Sequence, residues 1–136
     1  MFINAIFEVG LISEGFSIIR KQFMNPDDLS INPLLVGEIL SSIQGLIHSD
    51  ISKIPKVLEI EQFIILLNTF TCGKEGTLFI IYAICQASSG DLHETLSTLA
   101  TELKLFNNLL LNWNVDTESL RNLYPIFEEA FLPYNK

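Results

Sequence analysis

Residues 63–85 read FIILLNTFTCGKEGTLFIIYAIC, two nearly unbroken apolar runs joined by a polar tetrapeptide. The runs 63–70 and 77–85 have the length of strands, and apolar residues on both faces indicate strands that are covered on both sides. The segment 73–76 supplies the turn of a hairpin. We therefore expect this hairpin at the centre of a sheet that carries helices on both faces.

The same hairpin predicts the state of the two cysteines. If Cys72 stands opposite Thr77, then Cys85 stands opposite Ile64, far along the strand from Cys72. At about 3.4 Å per residue the two cysteines lie about 27 Å apart, whereas a disulfide needs α-carbons within about 7 Å. Neither cysteine belongs to a C-x-x-C motif or neighbours a histidine, so we expect two reduced, buried thiols.

Two further strands are predicted at the start of the chain. Residues 3–12 and 16–23 are rich in isoleucine, valine and phenylalanine, and the intervening Ser13-Glu14-Gly15 is typical of a turn. These residues should form a second hairpin. The sequence Asn25-Pro26-Asp27-Asp28 then ends it.

A short alternating segment at residues 56–61 predicts a strand of a different kind. Its apolar side chains point to one face and its acidic side chains to the other: Leu58 and Ile60 against Glu59 and Glu61. Such alternation is typical of a half-exposed strand, and charges on an edge strand discourage pairing with another sheet. We expect this segment at an edge of the sheet.

The first helix is predicted over residues 33–49. Asn32 can cap its N-terminus, and Pro33 takes the first helical position, where a missing N–H costs nothing. Its apolar residues recur at helical spacing and form one stripe: Leu35, Val36, Ile39, Leu40, Ile43, Leu46 and Ile47. This stripe should face the sheet.

Two more helices are predicted in the C-terminal third of the chain. Asp91 followed by Glu94 is similar to a capping box, and one long helix should run from there to Leu110. Its stripe consists of Leu92, Leu96, Leu99, Leu103, Phe106 and Leu110. Asp116 or Thr117 should cap a last helix, which Pro125 should kink or divide. Its apolar residues are Leu120, Leu123, Phe127 and Phe131.

These elements define a fold class. Their order is strand, strand, helix, three strands, helix, helix, and 136 residues are the size of one domain. Strands covered on both sides require helices on both faces of the sheet. We therefore predict a single α/β (α+β) domain over residues 1–136, a three-layer α/β/α sandwich with about five strands.

Charge and hydropathy exclude several functions. The formal net charge is −8, and the lysines and arginines are scattered, so the basic stripe that a nucleic acid needs is missing. The longest apolar runs are too short to cross a bilayer, which takes about 20 residues. Asn4 and Glu8 interrupt the first apolar segment, so we do not expect a cleaved secretory signal, and we predict a cytoplasmic protein.

We find no candidate catalytic or cofactor-binding residues. Gly73-Lys74 resembles the end of a phosphate loop, but the earlier glycine is missing and Glu75 stands where Ser or Thr would hold magnesium. Asp27-Asp28 is more typical of a solvated turn than of a cation site. His48 and His93 lie on predicted helices without a nucleophile beside them. We therefore predict a protein that is not an enzyme and has no metal or cofactor.

The outer side of the first helix carries an unusual series of small residues. With Leu35 at 0°, the apolar stripe spans about 0° to 140°, and Gly37, Ser41 and Gly45 fall at about 200°, 240° and 280°. Each glycine costs about 0.8 to 1 kcal/mol relative to alanine in an exposed helix interior. One explanation is close approach by a second helix, with surrounding contacts from Leu34, Gln44 and His48. The other is that the stripe stabilises the helix enough to tolerate both glycines.

Three stretches resemble a known family. INAIFEV (3–9), GFSIIRK (15–21) and NPLLVGEILSSIQ (32–44) resemble the opening of small longin-domain proteins, most of all the stand-alone, single-domain versions found in archaea. The similarity covers nearly the whole chain, since the later strand, strand, helix, helix arrangement is also longin-like. The related roadblock fold normally begins with a helix, whereas this chain begins with a predicted hairpin.

The resemblance implies both a topology and a function. It implies a five-stranded antiparallel sheet in the order second, first, fifth, fourth, third, with the first helix on one face and the last two on the other. Longin-like and roadblock-like domains dimerise and engage small Ras-like GTPases or vesicle-trafficking machinery, and they have no catalytic residues to transfer. It therefore implies a non-catalytic, oligomeric interaction module that reaches membranes through a partner.

Two other functions remain open at this point. Profilin-like sandwiches often bind a small ligand in a pocket between sheet and helices, so a sensory domain is one alternative. An enzyme without a recognisable motif is the other. A buried apolar cavity edged by polar groups would favour ligand binding, whereas a flat exposed patch would favour protein binding.

Overall fold

The computed structural model describes residues 6–13, 16–23, 33–46, 51–60, 63–86, 90–112 and 118–131. These ranges contain five strands and four α-helices, together with two short 3-10 segments, Ile51–Lys53 and Ser119–Leu123. The strands are β1 (Ile6–Ser13), β2 (Phe16–Gln22), β3 (Val57–Ile60), β4 (Phe63–Cys72) and β5 (Thr77–Cys85). The helices are α1 (Pro33–Gly45), α2 (Gly90–Lys104), α3 (Asn107–Leu111) and α4 (Tyr124–Phe131).

The strands form one open antiparallel sheet in the order β2-β1-β5-β4-β3. This is the strand order that the longin resemblance implies. The hairpin β4–β5 lies inside the sheet, as the apolar runs predict, and β3 lies at an edge, as its alternation predicts. Glu59 is exposed on that edge strand, whereas Glu61 lies outside the described residues.

The turn between β4 and β5 explains the glycines of the GKEG segment. Gly73 and Gly76 have φ angles of 80° and 68°, values that residues with a side chain rarely adopt. The Gly76 N–H donates to the Gly73 carbonyl over 3.2 Å. The four-residue turn places Cys72 opposite Thr77, which is the register that the sequence predicts.

Buried apolar residues divide into two clusters according to strand alternation. One cluster contains Val36, Ile39 and Ile43 of α1 with alternate residues of the strands, including Phe63 and Ile80. The other contains the buried residues of α2, α3, the second 3-10 segment and α4, with the intervening strand residues. The burial of α1 therefore follows the predicted stripe.

The C-terminal helices differ from the prediction in two ways. The expected single helix from Asp91 to Leu110 is interrupted at Leu105 and Phe106, whose N–H groups donate to Glu102 and Leu103, three residues earlier. Such tight 3-10 bonds end a helix, and the following Asn107-Asn108 has poor helix propensity. Leucine spacing could not predict this, since Leu103 and Leu110 are both buried across the break.

The predicted capping box is also wrong, whereas the predicted effect of proline is confirmed. Gly90 is already helical, so Asp91 lies within the first turn of α2 and is not its N-cap. The last segment is divided as Pro125 predicts. A 3-10 segment ends at Leu123, and α4 begins at Tyr124 with Pro125 in its first turn, where the missing N–H costs little.

Both cysteines are free and buried, and Cys85 stands opposite Ile64. Burial raises the pKa of the Cys85 thiol to about 12.

We predict that a thiol reagent at pH 8 modifies the native protein slowly and the unfolded, unreduced protein at two sites. Because the unfolded chain loses the Cys85 proton near pH 9 and the folded chain keeps it, stability should fall as the pH rises from about 9 towards 12. Fewer than two free thiols in the unfolded, unreduced protein, with no dimer on a non-reducing gel, would contradict the register.

Candidate functional site

The outer face of α1 is the surface that the sequence singles out. Gly37, Ser41 and Gly45 are exposed, and Leu34 is 74% exposed. A Cβ atom added to Gly37 or Gly45 would have no neighbour within 4 Å. These small residues therefore face solvent, and neither glycine is required by a contact within the protein.

This outer face of α1 is nearly free of charge. Glu38 is the one charged residue between Pro33 and Gly45, although the whole chain carries a formal net charge of −8. Ser42 is exposed as well, and its hydroxyl donates to the Glu38 carbonyl over 3.0 Å within the helix. Gln44 is half-buried at the margin of the face. His48 lies outside the described residues, so the structure does not place it beside the other five.

A polar network that the sequence patterns did not predict lies inside the sheet. Glu8 of β1 is 0% exposed, and its carboxylate accepts three donors. The Tyr82 hydroxyl donates to Oε2 over 2.6 Å, and the Gln22 amide donates to Oε1 over 3.0 Å. The Arg20 Nε lies 3.0 Å from the same Oε1. These groups belong to β5, β2 and β1, so Glu8 connects three adjacent strands.

The electrostatics of this network keep Tyr82 a donor. Burial, followed by the negative charge of Glu8 and the hydrogen bond to it, raises the pKa of the Tyr82 hydroxyl well above its ordinary value. The phenol therefore remains protonated at every physiological pH. Arg20 is 44% exposed at its side chain, so the ion pair reaches solvent through the guanidinium while the carboxylate stays enclosed.

Gly10 makes the network possible. Glu8, Gly10 and Tyr82 lie on one face of the sheet, where Gly10 pairs with Tyr82 across β1 and β5. A Cβ atom at Gly10 would lie 2.5 Å from Tyr82 Cζ and 2.6 Å from the Ile19 carbonyl oxygen. The tyrosine ring thus reaches Glu8 by crossing the position that a side chain would fill.

The sequence did contain a signal for this network. Glu8 is the one charged residue in the run from Ile6 to Ile12, and Gly10 follows it on the same side of a strand. In the hairpin register Glu8 pairs with Gln22, and Gly10 pairs with Arg20. A carboxylate in a strand core beside an arginine on the next strand predicts a buried ion pair. The carboxylate is 0% exposed and accepts three donors from two neighbouring strands, so the network connects β2, β1 and β5.

A surface groove lies between α2 and α4. It has a volume of about 540 Å³ and a floor of Leu99, Ile126 and Ala130. Its rim carries four carboxylates: Asp91, Glu94, Glu102 and Glu129. The groove lies between two helices. A sensory domain of the profilin-like type would have its ligand pocket between the sheet and a helix instead.

In the part of the chain that the structure describes, His, Cys, Asp and Glu side chains do not gather in groups of three or more that could hold a metal ion. Within the same ranges, none of the helices is both long and apolar enough to cross a bilayer. His93 is half-buried on α2.

No protein-family model matches the chain, and no curated protein matches it significantly.

Proposed function

We propose that the chain is a non-catalytic protein interaction module of the longin type. In this proposal α1 packs its outer face against α1 of a second copy. The resulting dimer acts as a platform for a small Ras-like GTPase or for trafficking machinery, in the cytoplasm and peripheral to membranes through that partner. The observation that carries the proposal is the solvent-facing series Gly37, Ser41 and Gly45 beside the 74% exposed Leu34.

Packing geometry supports α1 as the contact. Helix axes approach to about 8 to 10 Å, and the closest approach requires small residues at the crossing point. Gly37, Ser41 and Gly45 recur every four residues, so they form a ridge along one side of the helix. Leu34 lies on the same exposed side and supplies apolar area that a partner helix would bury.

Charge supports a second copy as the occupant. Two chains that each carry a net charge of −8 repel one another. The repulsion is least where the contact surfaces carry few charges, and the outer face of α1 contributes only Glu38. A GTPase would then bind elsewhere on the dimer, and that part of the proposal rests on the family resemblance alone.

The fold supports the longin type. The sheet order β2-β1-β5-β4-β3 is the order implied by the resemblance. The buried residues of α1 and those of the C-terminal helices belong to separate clusters, which is the pattern of a three-layer sandwich with one helix against one face of the sheet and the C-terminal helices against the other.

We predict that Ser41→Arg weakens self-association at least about tenfold in Kd, which corresponds to about 1.4 kcal/mol, and leaves the melting temperature nearly unchanged. The arginine adds bulk and charge at the centre of the ridge and touches no core residue. Sedimentation velocity over a range of concentrations measures the effect. Ser97→Arg is the matched control, because Ser97 is an exposed serine within α2; it should associate like the parent.

Two results would contradict the proposal. If Ser41→Arg and Ser97→Arg both sediment like the parent protein, the ridge is not an interface. If the parent is monomeric at all concentrations, a second copy is not the occupant of α1. Capture of GDP-loaded and GTP-loaded Ras-like GTPases on the immobilised chain, compared between the parent and Ser41→Arg, tests the partner separately from the dimer.

A further inference from the structure

Strand β4 extends well beyond its neighbour at the edge of the sheet. It has ten residues, whereas β3 has four. The pairing with β3 runs from Phe63 opposite Ile60 to Leu66 opposite Val57. One more backbone bond follows, in which the Leu67 N–H donates to the Lys56 carbonyl over 2.9 Å. Beyond that bond, no described residue forms a backbone hydrogen bond with the outer side of residues 68–72.

The chain before β3 does not continue the strand along β4. Pro55 lies two residues before β3, and proline is confined mostly to edge strands and strand ends. The chain before it forms the 3-10 segment Ile51–Lys53. A cleft of about 330 Å³ remains there, lined by Ser52, Ile54, Lys56, Leu67, Asn68 and Thr69.

Strand alternation identifies the backbone groups that face outward. The Leu67 N–H points towards β3, so the N–H and C=O groups of Thr69 and Thr71 point the same way, since alternate residues share a side. The groups of Asn68 and Phe70 point inward, towards their partners Ile81 and Phe79 on β5. Thr69 and Thr71 therefore present two successive sets of donors and acceptors at an open strand edge.

The charge around this open edge differs from that of the protein as a whole. Lys56 lines the cleft. Lys53 lies in sequence between Ser52 and Ile54, which both line the cleft as well. Both lysines are exposed. The chain has only eight basic residues against sixteen acidic ones, whereas the residues that line this cleft include Lys56 and no acidic side chain.

We propose that the open edge of β4 binds an extended, acidic segment of a partner protein. The segment adds to the sheet in the space that β3 leaves vacant, and its backbone pairs with Thr69 and Thr71. Its carboxylates lie near Lys53 and Lys56. Strand addition of this kind takes its affinity from main-chain hydrogen bonds and its specificity from adjacent side chains. The site does not involve α1 and stands independently of the proposed dimer.

The first test measures amide hydrogen exchange by NMR in the free protein. We expect the Thr69 and Thr71 amides to exchange at least about tenfold faster than those of Asn68 and Phe70, although all four belong to one strand inside the sheet. Equal protection of all four would mean that the edge is already covered, and the proposal would fail. Protection of Thr69 and Thr71 that rises with protein concentration would identify a second copy as the occupant and would also overturn it.

The second test adds a labelled probe peptide, Asp-Val-Thr-Val-Thr-Val-Asp, and a counterpart with lysine in place of both aspartates. We expect the acidic probe to bind at least about tenfold more tightly at low salt and to slow exchange at Thr69 and Thr71. Lys56→Glu should abolish this preference. Lys74→Glu, which makes the same charge change at an exposed position of the β4–β5 turn, should preserve it.

Two outcomes of the peptide test would overturn the proposal. One is equal binding of both probes, and the other is an equal loss of binding in Lys56→Glu and Lys74→Glu. Thr69→Pro provides an independent check, because the Thr69 N–H points outward and its loss removes no hydrogen bond to β5. The variant should lose the acidic probe while Asn68 and Phe70 stay protected. If those two amides lose protection, Thr71→Pro replaces it as the test variant.

Discussion

Replacing Gly10 with alanine should lower the free energy of unfolding by about 3 kcal/mol or more, the largest effect that we expect from a single methyl group in this chain. The added Cβ would lie 2.5 Å from Tyr82 Cζ and 2.6 Å from the Ile19 carbonyl oxygen. The Tyr82 ring can move away only by breaking its hydrogen bond to Glu8. The Ile19 carbonyl can move away only if the pairing between β1 and β2 shifts. Both adjustments disrupt the sheet.

Urea unfolding of Gly10→Ala measures this loss. Gly37→Ala is the matched control when both variants are unfolded at a concentration where the protein is monomeric, since the same methyl group there has no neighbour within 4 Å and should stabilise the helix by about 0.8 to 1 kcal/mol. In the double variant Gly10→Ala/Tyr82→Ala, the clash with the ring is gone but the clash with the Ile19 carbonyl oxygen remains. The double variant should therefore lose somewhat less stability than the sum of the two single losses. A Gly10→Ala protein as stable as the parent would show that the ring does not cross Gly10.

Replacing Glu8 with alanine should cost about 2 to 4 kcal/mol of unfolding free energy. The change leaves the buried Tyr82 hydroxyl without its acceptor, and an unsatisfied buried polar group costs about 1 to 3 kcal/mol. It also removes a buried carboxylate that connects three strands. The contribution of Arg20 is smaller, because its side chain is 44% exposed and can be hydrated when the ion pair is lost.

A double-mutant cycle of Glu8→Gln and Tyr82→Phe separates the hydrogen bond from the packing. We expect each single variant to be less stable than the parent, and the double variant to be more stable than the sum of the two losses predicts. Strictly additive losses in urea unfolding would mean that Tyr82 and Glu8 do not stabilise each other. Arg20→Met provides a further comparison. We expect it to lower the free energy of unfolding by less than Glu8→Gln or Tyr82→Phe does.

The amino-acid sequence alone determined the elements whose patterns are local. The apolar runs of β4 and β5 predicted the centre of the sheet, and the turn glycines predicted the register that separates Cys72 from Cys85. The stripe of α1 predicted which side of that helix is buried, because an amphipathic helix can bury only one face. Pro125 predicted the division before α4.

Only the tertiary structure decided the features that depend on contacts distant in sequence. Glu8 and Tyr82 are 74 positions apart, so no local pattern indicates that the carboxylate of β1 finds a phenol on β5. The break between α2 and α3 keeps the leucine spacing and was therefore invisible to it. The open edge of β4 arises from the unequal lengths of two paired strands, and strand pairing is a property of the assembled sheet. Local propensity determines each element, but the polar contacts that cross strands and the edges left open exist only after the elements have packed.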